Sequence, residues 1–275
     1  MFKTRVASGA VLMVILLGCT IFGDWLFGLM LLAISLIGLY ELYRLEHIEK
    51  TGLFAAAVIC TVLYDIGVYM ACSGLLIMII LPIVMIVLQF IILSMIYVLT
   101  YPKFQAKQVM LAMFSFFYVP VMISCLFILR NIEAGKFLIW LVFIASWGCD
   151  TGAYCSGMLL GKHKLAPVLS PKKSVEGAIG GVVASVILGL IYMAIFGSHM
   201  TEVFSNPMLA VAVICAVGAI LSQFGDLTAS AIKRNYEIKD YGTLIPGHGG
   251  IMDRFDSVIF VSPVIFGLVM LFSVI

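Results

Sequence analysis

Residues 223–257 read QFGDLTASAIKRNYEIKDYGTLIPGHGGIMDRFDS, and they crowd ionisable side chains into a chain that is 63% hydrophobic and only 11% charged. Asp226, Ser230, Lys233 and Arg234 follow one another at offsets of 4, 7 and 8 from the first. At roughly 100° per residue they share one helix face, a stripe of carboxylate, hydroxyl and two cations. Gly242, Pro246, Gly247, Gly249 and Gly250 then break regular structure. The Gly249-Gly250 pair lets backbone N–H groups approach a ligand that side chains would block. Asp253 and Asp256, three residues apart, share a face at the start of the last helix. Three carboxylates near Lys233, Arg234, Lys239 and Arg254 suit a polyphosphate. Asp226 and Asp253 offer hard oxygen ligands for Mg²⁺, which one or two carboxylates and substrate phosphates commonly hold. The cations would neutralise phosphate oxygens, and His248 could orient a phosphate. A positive loop with charge-balancing carboxylates is the plain alternative, but it needs neither paired glycines nor Asp226 inside an apolar run.

A second stretch, residues 149–181, has the same character: CDTGAYCSGMLLGKHKLAPVLSPKKSVEGAIGG. Asp150 and Tyr154 stand one helical turn apart. Ser170 before Pro171 predicts a helix N-cap with proline at the first helical position. Lys172 and Lys173 would then lie in the first turn, where positive charge opposes the helix dipole until an anion arrives. Glu176 suits the same turn, and could also meet ligand. Gly177, Gly180 and Gly181 predict close helix packing. His163, among lysines, is a phosphate donor or a bystander. No general base is assigned, because transfer at phosphorus depends mainly on positioning and charge stabilisation.

The elements that must position these groups follow from length and hydropathy. The chain has 275 residues and a mean hydropathy of +1.19. A hydrocarbon core of ~30 Å takes roughly 20 apolar residues per helix. Nine spans are predicted at about 6–23, 25–42, 53–71, 75–99, 108–129, 137–160, 175–196, 207–232 and 257–275. The fold class is therefore all-α, a polytopic integral membrane protein. Lys3 and Arg5 before the first apolar run also fit a signal peptide, but no small-x-small site follows, and an uncleaved span is expected. With the N-terminus cytoplasmic, fourteen of the sixteen Lys and Arg residues face inward, and only Arg130 and Lys136 face outward. Residues 1–135 read as a scaffold, with lipid access and oligomer contacts. Residues 136–275 read as the catalytic region with two cytoplasmic loops. The seven cysteines form no C-x-x-C pair, so neither a metal knuckle nor a disulfide framework is indicated. Asp65 lies inside the third span, where hydrogen bonding to a neighbouring helix is the expected role. His199 is expected to be solvated. No nucleic-acid partner is expected.

The run SAIKRNYEIKDYGTLIPGHGGIMDRFD, residues 230–256, resembles the C-terminal motif of phosphatidate cytidylyltransferases, the CDP-diacylglycerol synthases. The match runs without a gap through Ser230, Lys233, Arg234, Lys239, Asp240 and Gly242. It continues through Pro246, His248, Gly249, Gly250, Asp253, Arg254 and Asp256. The upstream DTGAY and SPKKSVEG segments are also similar, with Ser174 where such enzymes often have Thr. The resemblance implies that CTP and phosphatidic acid give CDP-diacylglycerol and pyrophosphate, with Mg²⁺ required. It implies a second cation, such as monovalent K⁺, with Asp150 and Asp256 as candidate ligands beside Asp226 and Asp253. Ser170, Lys172, Lys173, Ser230, Lys233, Arg234, Lys239 and Arg254 would serve the phosphates. The lipid phosphate is itself the nucleophile, so no base is demanded. A homodimer in the cell membrane, with the site facing the cytoplasm, is implied too. A CTP-dependent lipid kinase would instead transfer the γ-phosphate. A cation-coupled transporter would use Asp65, Asp150 and Asp226, but it calls for polar groups at mid-bilayer.

Overall fold

The long apolar runs fold as helices, because a backbone in lipid must satisfy its own hydrogen bonds. A computed structural model describes residues 2–75, 79–201, 203–247 and 249–274. Nine helices follow in order among these residues. They are α1 (Phe2–Phe22), α2 (Asp24–Tyr43), α3 (Gly52–Cys72), α4 (Ile80–Leu99) and α5 (Ala106–Asn131). Then come α6 (Gly135–Leu160), α7 (Val175–Phe196), α8 (Pro207–Asn235) and α9 (Met252–Val274). Eight are long and apolar enough to cross a membrane, and within α1 Gly9–Phe22 is a shorter apolar helix. The protein is an all-α polytopic membrane protein. Its outward faces carry bare apolar side chains such as Phe90 and Val98, as a lipid solvent permits. All seven cysteines are free thiols.

One segment departs from the expectation. The helix predicted to open at Ser170–Pro171 begins instead at Val175. Ser174 is the N-cap, in extended conformation, and its Oγ accepts the Gly177 N–H at 3.1 Å. Residues upstream pair as an antiparallel hairpin, β1 (Lys164–Ala166) with β2 (Ser170–Ser174), in the register Lys164↔Ser174 and Ala166↔Ser170. Pro171 is tolerated there because a two-stranded ribbon has an edge that needs no N–H. Lys172 and Lys173 therefore lie on a strand, and the expected conflict with a helix dipole does not arise. Glu176 closes the hairpin base: its carboxylate accepts the N–H of Lys162 (3.0 Å) and of His163 (3.2 Å) and meets His163 Nδ1 at 2.6 Å.

The chain divides into two compact units. The first comprises Met1–Ile128 and Asp240–Arg254. Its core gathers Leu39, Tyr43, Leu53, Leu93 and Val109, with the Tyr43 hydroxyl donating to Ala112 O at 3.4 Å. Tyr64 and Ser124 share a 2.9 Å hydrogen bond between α3 and α5, the kind of interhelical bond worth about 0.6 kcal/mol in a membrane.

The second unit comprises Leu129–Lys239 and Phe255–Ile275. Helices in lipid gain little from hydrophobic exclusion, so they associate through close contact of small residues. That is how α6 meets α7. A Cβ on Gly181 would stand 2.8 Å from Cys149 O, and one on Gly177 would stand 2.8 Å from Ala153 O. On Gly180 it would collide with Ser156 Oγ, and on Gly152 with Ala184. The packing predicted for Gly177, Gly180 and Gly181 is thus present. α6 also carries a π-helical turn at Ile144–Gly148, ending two residues before Asp150. Such turns commonly re-aim the residues of a functional site.

Candidate active site

Four elements of the second unit enclose a cavity of about 480 Å³. α6 contributes Asp150 and Tyr154, β2 contributes Lys172 and Lys173, α7 contributes Gly177, and α8 contributes Gln223 and Asp226. Asp150 from α6 thus lines the same cavity as Lys172 and Lys173 from the hairpin. The helical stripe read from residues 226–234 lies on α8 as expected.

Two of the charges in this cavity are paired with each other. Lys173 Nζ forms an ion pair with Asp226 Oδ2, and Ser230 Oγ donates to Asp226 Oδ1 at 3.3 Å. Both charged partners are about three-quarters buried, at 26% and 27% side-chain exposure, so the pair is worth more than a solvated one. Asp256, 9% exposed, accepts the Ser257 N–H at 2.7 Å through Oδ1. It lies within electrostatic reach of Asp226, Asp150 and Lys233. Three carboxylates from three helices thus share one low-dielectric region with two lysines, an arrangement that calls for further positive charge.

A divalent cation fits this donor set in one way. Among the described residues no group of three His, Cys, Asp or Glu side chains is spaced to hold a metal by itself. Two carboxylates beside a cavity large enough for a triphosphate match Mg²⁺, which keeps water and substrate oxygens in its shell. Asp226 and Asp150 would be the protein ligands, with Asp256 close by. Lys173, already on Asp226, shows that this carboxylate takes a cationic partner.

The first unit holds the other half of the motif. Asp253 Oδ2 accepts two backbone N–H groups, from Tyr241 at 2.8 Å and from Gly250 at 2.9 Å. It thereby closes the loop 240–254, and at most its other oxygen is left for a metal. Gly249 has φ +86, in the left-handed region, and a Cβ there would stand 2.7 Å from Asp253 Oδ2. The Ile245 N–H reaches Gly249 O at 2.9 Å across the turn. His248 lies outside the described residues. Arg254 and Lys239 are exposed, as is Arg234 at the end of α8, whereas Lys233 is half-buried. Ser170 opens β2, paired with Ala166, and is not part of the cavity wall.

Two residues escaped the sequence reading. Glu41, on α2, is 3% exposed, and its carboxylate accepts the N–H groups of Ile251 and Met252 at 2.9 Å each. It supplies from a distant helix the cap that the start of α9 needs. Cβ atoms on Gly242 or Gly250 would run into the same carboxylate. Its signal was a glutamate inside a predicted span, one residue before that span's end. Gln223 lines the cavity, with Nε2 donating to Ala178 O at 3.1 Å. It sits three residues before Asp226 and so on the same face, which the spacing could have shown.

Membrane helices that hold carboxylates and lysines around a cavity at a hairpin define a membrane enzyme handling phosphate groups. The chain belongs to the cytidylyltransferase family, whose sequence model matches residues 3–272. It is similar to the phosphatidate cytidylyltransferase of Staphylococcus epidermidis RP62A, 32% identical over 271 residues, which cover 96% of this chain and 97% of that protein. It is also similar to the phosphatidate cytidylyltransferase of Staphylococcus saprophyticus, 38% identical over 181 residues and 66% of each chain. That of Bacillus subtilis 168 is 40% identical over 146 residues, 53% of this chain and 52% of the relative.

Proposed function

We propose that this enzyme joins CTP to phosphatidic acid at the cytoplasmic face of the cell membrane. It transfers the cytidylyl group, giving CDP-diacylglycerol and pyrophosphate for phospholipid synthesis. The observation that carries the reading is the Asp226–Lys173 pair inside the carboxylate-lined cavity, within a chain of the cytidylyltransferase family.

An oxygen of the lipid phosphate attacks the α-phosphorus of CTP, and the α–β bridging bond breaks to release pyrophosphate. Lys172 and Lys173 bind triphosphate oxygens, and Lys173 exchanges Asp226 for phosphate as they enter. Lys233, Arg234 and Lys239 line the approach from the end of α8. Ser230 holds the Asp226 carboxylate in position, and Ser170 stands at the strand entrance. Arg254, His248 and the Gly249 N–H offer phosphate donors on the loop 240–254, while Gly250 serves the loop by donating its N–H to Asp253. Asp226 and Asp150 would hold Mg²⁺, with Asp256 and Asp253 as further candidates, and the ion would supply charge neutralisation on the triphosphate. A second cation such as K⁺ belongs to the same reading. The lipid phosphate arrives as an anion, so no side chain need remove a proton.

The inward excess of Lys and Arg supports a cytoplasmic N-terminus and cytoplasmic loops at 161–174 and 233–256. The homodimer follows from the family resemblance, and light scattering of the purified protein tests it. The reaction itself is tested with CTP labelled in both cytosine and γ-phosphate, together with phosphatidic acid and Mg²⁺. Cytosine label in the lipid phase, with γ-label in pyrophosphate, is expected. γ-Label in lipid would make the enzyme a kinase, and chelation of Mg²⁺ is expected to stop transfer.

A further inference from the structure

The first unit contains a second cavity, of about 220 Å³, that the reaction does not use. Its walls come from α2, α3 and α5, and all but two of the lining residues, Asp65 and Ser124, are glycine, aliphatic or aromatic. Ser124 is already committed to Val121 O and Tyr64. Asp65 Oδ2 is buried and has no hydrogen-bond partner among the described residues. The helix–helix hydrogen bond that the sequence led us to expect is therefore not made by this oxygen. A carboxylate kept charged and unpaired in apolar surroundings costs several kcal/mol. A helix that keeps one has left a place for an opposite charge.

The neighbours say what kind of charge. Trp25, Tyr69 and Phe127 line the same cavity, with the Tyr69 and Phe127 rings 5.8 Å apart. Aromatic faces around a carboxylate attract ammonium groups, through cation–π contact and direct pairing. An alcohol would gain little from those faces. Trp25 is 61% exposed and Leu29 54%, so the mouth opens sideways toward lipid. Asp65 lies seven residues before the Cys72 end of α3, about 10 Å inside the span at 1.5 Å per residue. Trp25, at the adjoining end of α2, is sixteen residues from Glu41, or ~24 Å along the helix. This cavity therefore lies toward the membrane face opposite the 240–254 loop.

We propose that this cavity binds an amphiphile with a protonated amine head, the ammonium pairing with Asp65 between the three aromatic rings. A cavity of roughly 150 Å³ already accepts benzene, so the head and its first methylenes fit while the remaining chain leaves through the lipid-facing mouth.

The test uses the full protein in maltoside detergent, with brominated dodecylamine as probe and the Trp25 fluorescence as reporter. Brominated dodecanol is the matched uncharged probe, and Trp25→Phe isolates the reporter's signal. Saturable quenching by the amine is expected, with affinity at least tenfold lower for Asp65→Asn and Asp65→Leu. Asp65→Asn keeps the shape of the site should the leucine variant fail to fold. Cytidylyl transfer by Asp65→Asn is expected to stay near the wild-type rate. Absence of saturable quenching would overturn the proposal, as would equal affinity in the Asp65 variants or equal binding of the alcohol.

Discussion

The Glu41 carboxylate accepts the Met252 N–H at 2.9 Å, joining residues 211 positions apart, and its other oxygen accepts the Ile251 N–H at the same distance. A side chain from the second helix thus holds the first turn of the last, and with it the loop that carries Gly249, Gly250 and Asp253. Hydrogen bonds to a charged group are worth ~1.5–3 kcal/mol, and each orphaned amide costs about 1–3 kcal/mol. Glu41→Ala is expected to lower the melting temperature and reduce transfer more than tenfold. Glu41→Gln, which retains one acceptor, should fall between the two in both thermal unfolding and transfer assays.

Gly250→Ala places its methyl group against that same carboxylate, and Gly249→Ala strains a backbone at φ +86. The strain is about 1–3 kcal/mol at such positions. Both variants should lose activity while keeping helix content by circular dichroism. Gly267→Ala, where no atom lies within 4 Å of the added methyl, should behave as wild type.

Asp226 is the carboxylate on which the cavity's charge balance turns. Asp226→Asn leaves Lys173 without its partner and weakens any metal site there. Turnover is expected to fall by ~10²–10³, as for loss of one electrostatic stabiliser in a preorganised site. Raising Mg²⁺ should restore little of it. Lys173→Met should chiefly raise KM for CTP, and a full kinetic comparison at saturating lipid separates the two.

Glu176 closes the hairpin base through Lys162 and His163. Glu176→Gln should loosen residues 162–174, seen as faster proteolysis at the exposed lysines. KM for CTP should rise several-fold, with kcat changed less, because the hairpin holds Lys172 and Lys173 rather than reacting atoms.

Gly180→Leu tests the α6–α7 contact, since its side chain would enter the space of Ser156. Overpacking of this kind costs ~1–3 kcal/mol. The melting temperature should drop, and activity with it, because Asp150 and Lys173 are brought together across this contact.

The sequence by itself determined the all-α membrane class, the family, and the residue types of the site. Lipid permits few backbone solutions, and a gapless motif over residues 230–256 admits few coincidences. Asp226, Ser230 and Lys233 were legible as one stripe because helical periodicity is a local property. What only the tertiary structure decided depends on contacts far apart in the chain. Lys173 meets Asp226 across 53 positions, and Glu41 meets Met252 across 211. Local rules also misplaced the start of α7: Ser170–Pro171 is a good helix opening in isolation, but strand pairing to Lys164–Ala166 and the Ser174 cap outcompete it. Asp253 is a metal-ligand candidate by type, but that its Oδ2 accepts the Tyr241 and Gly250 N–H groups was not legible, because those amides reach it only once the loop has folded.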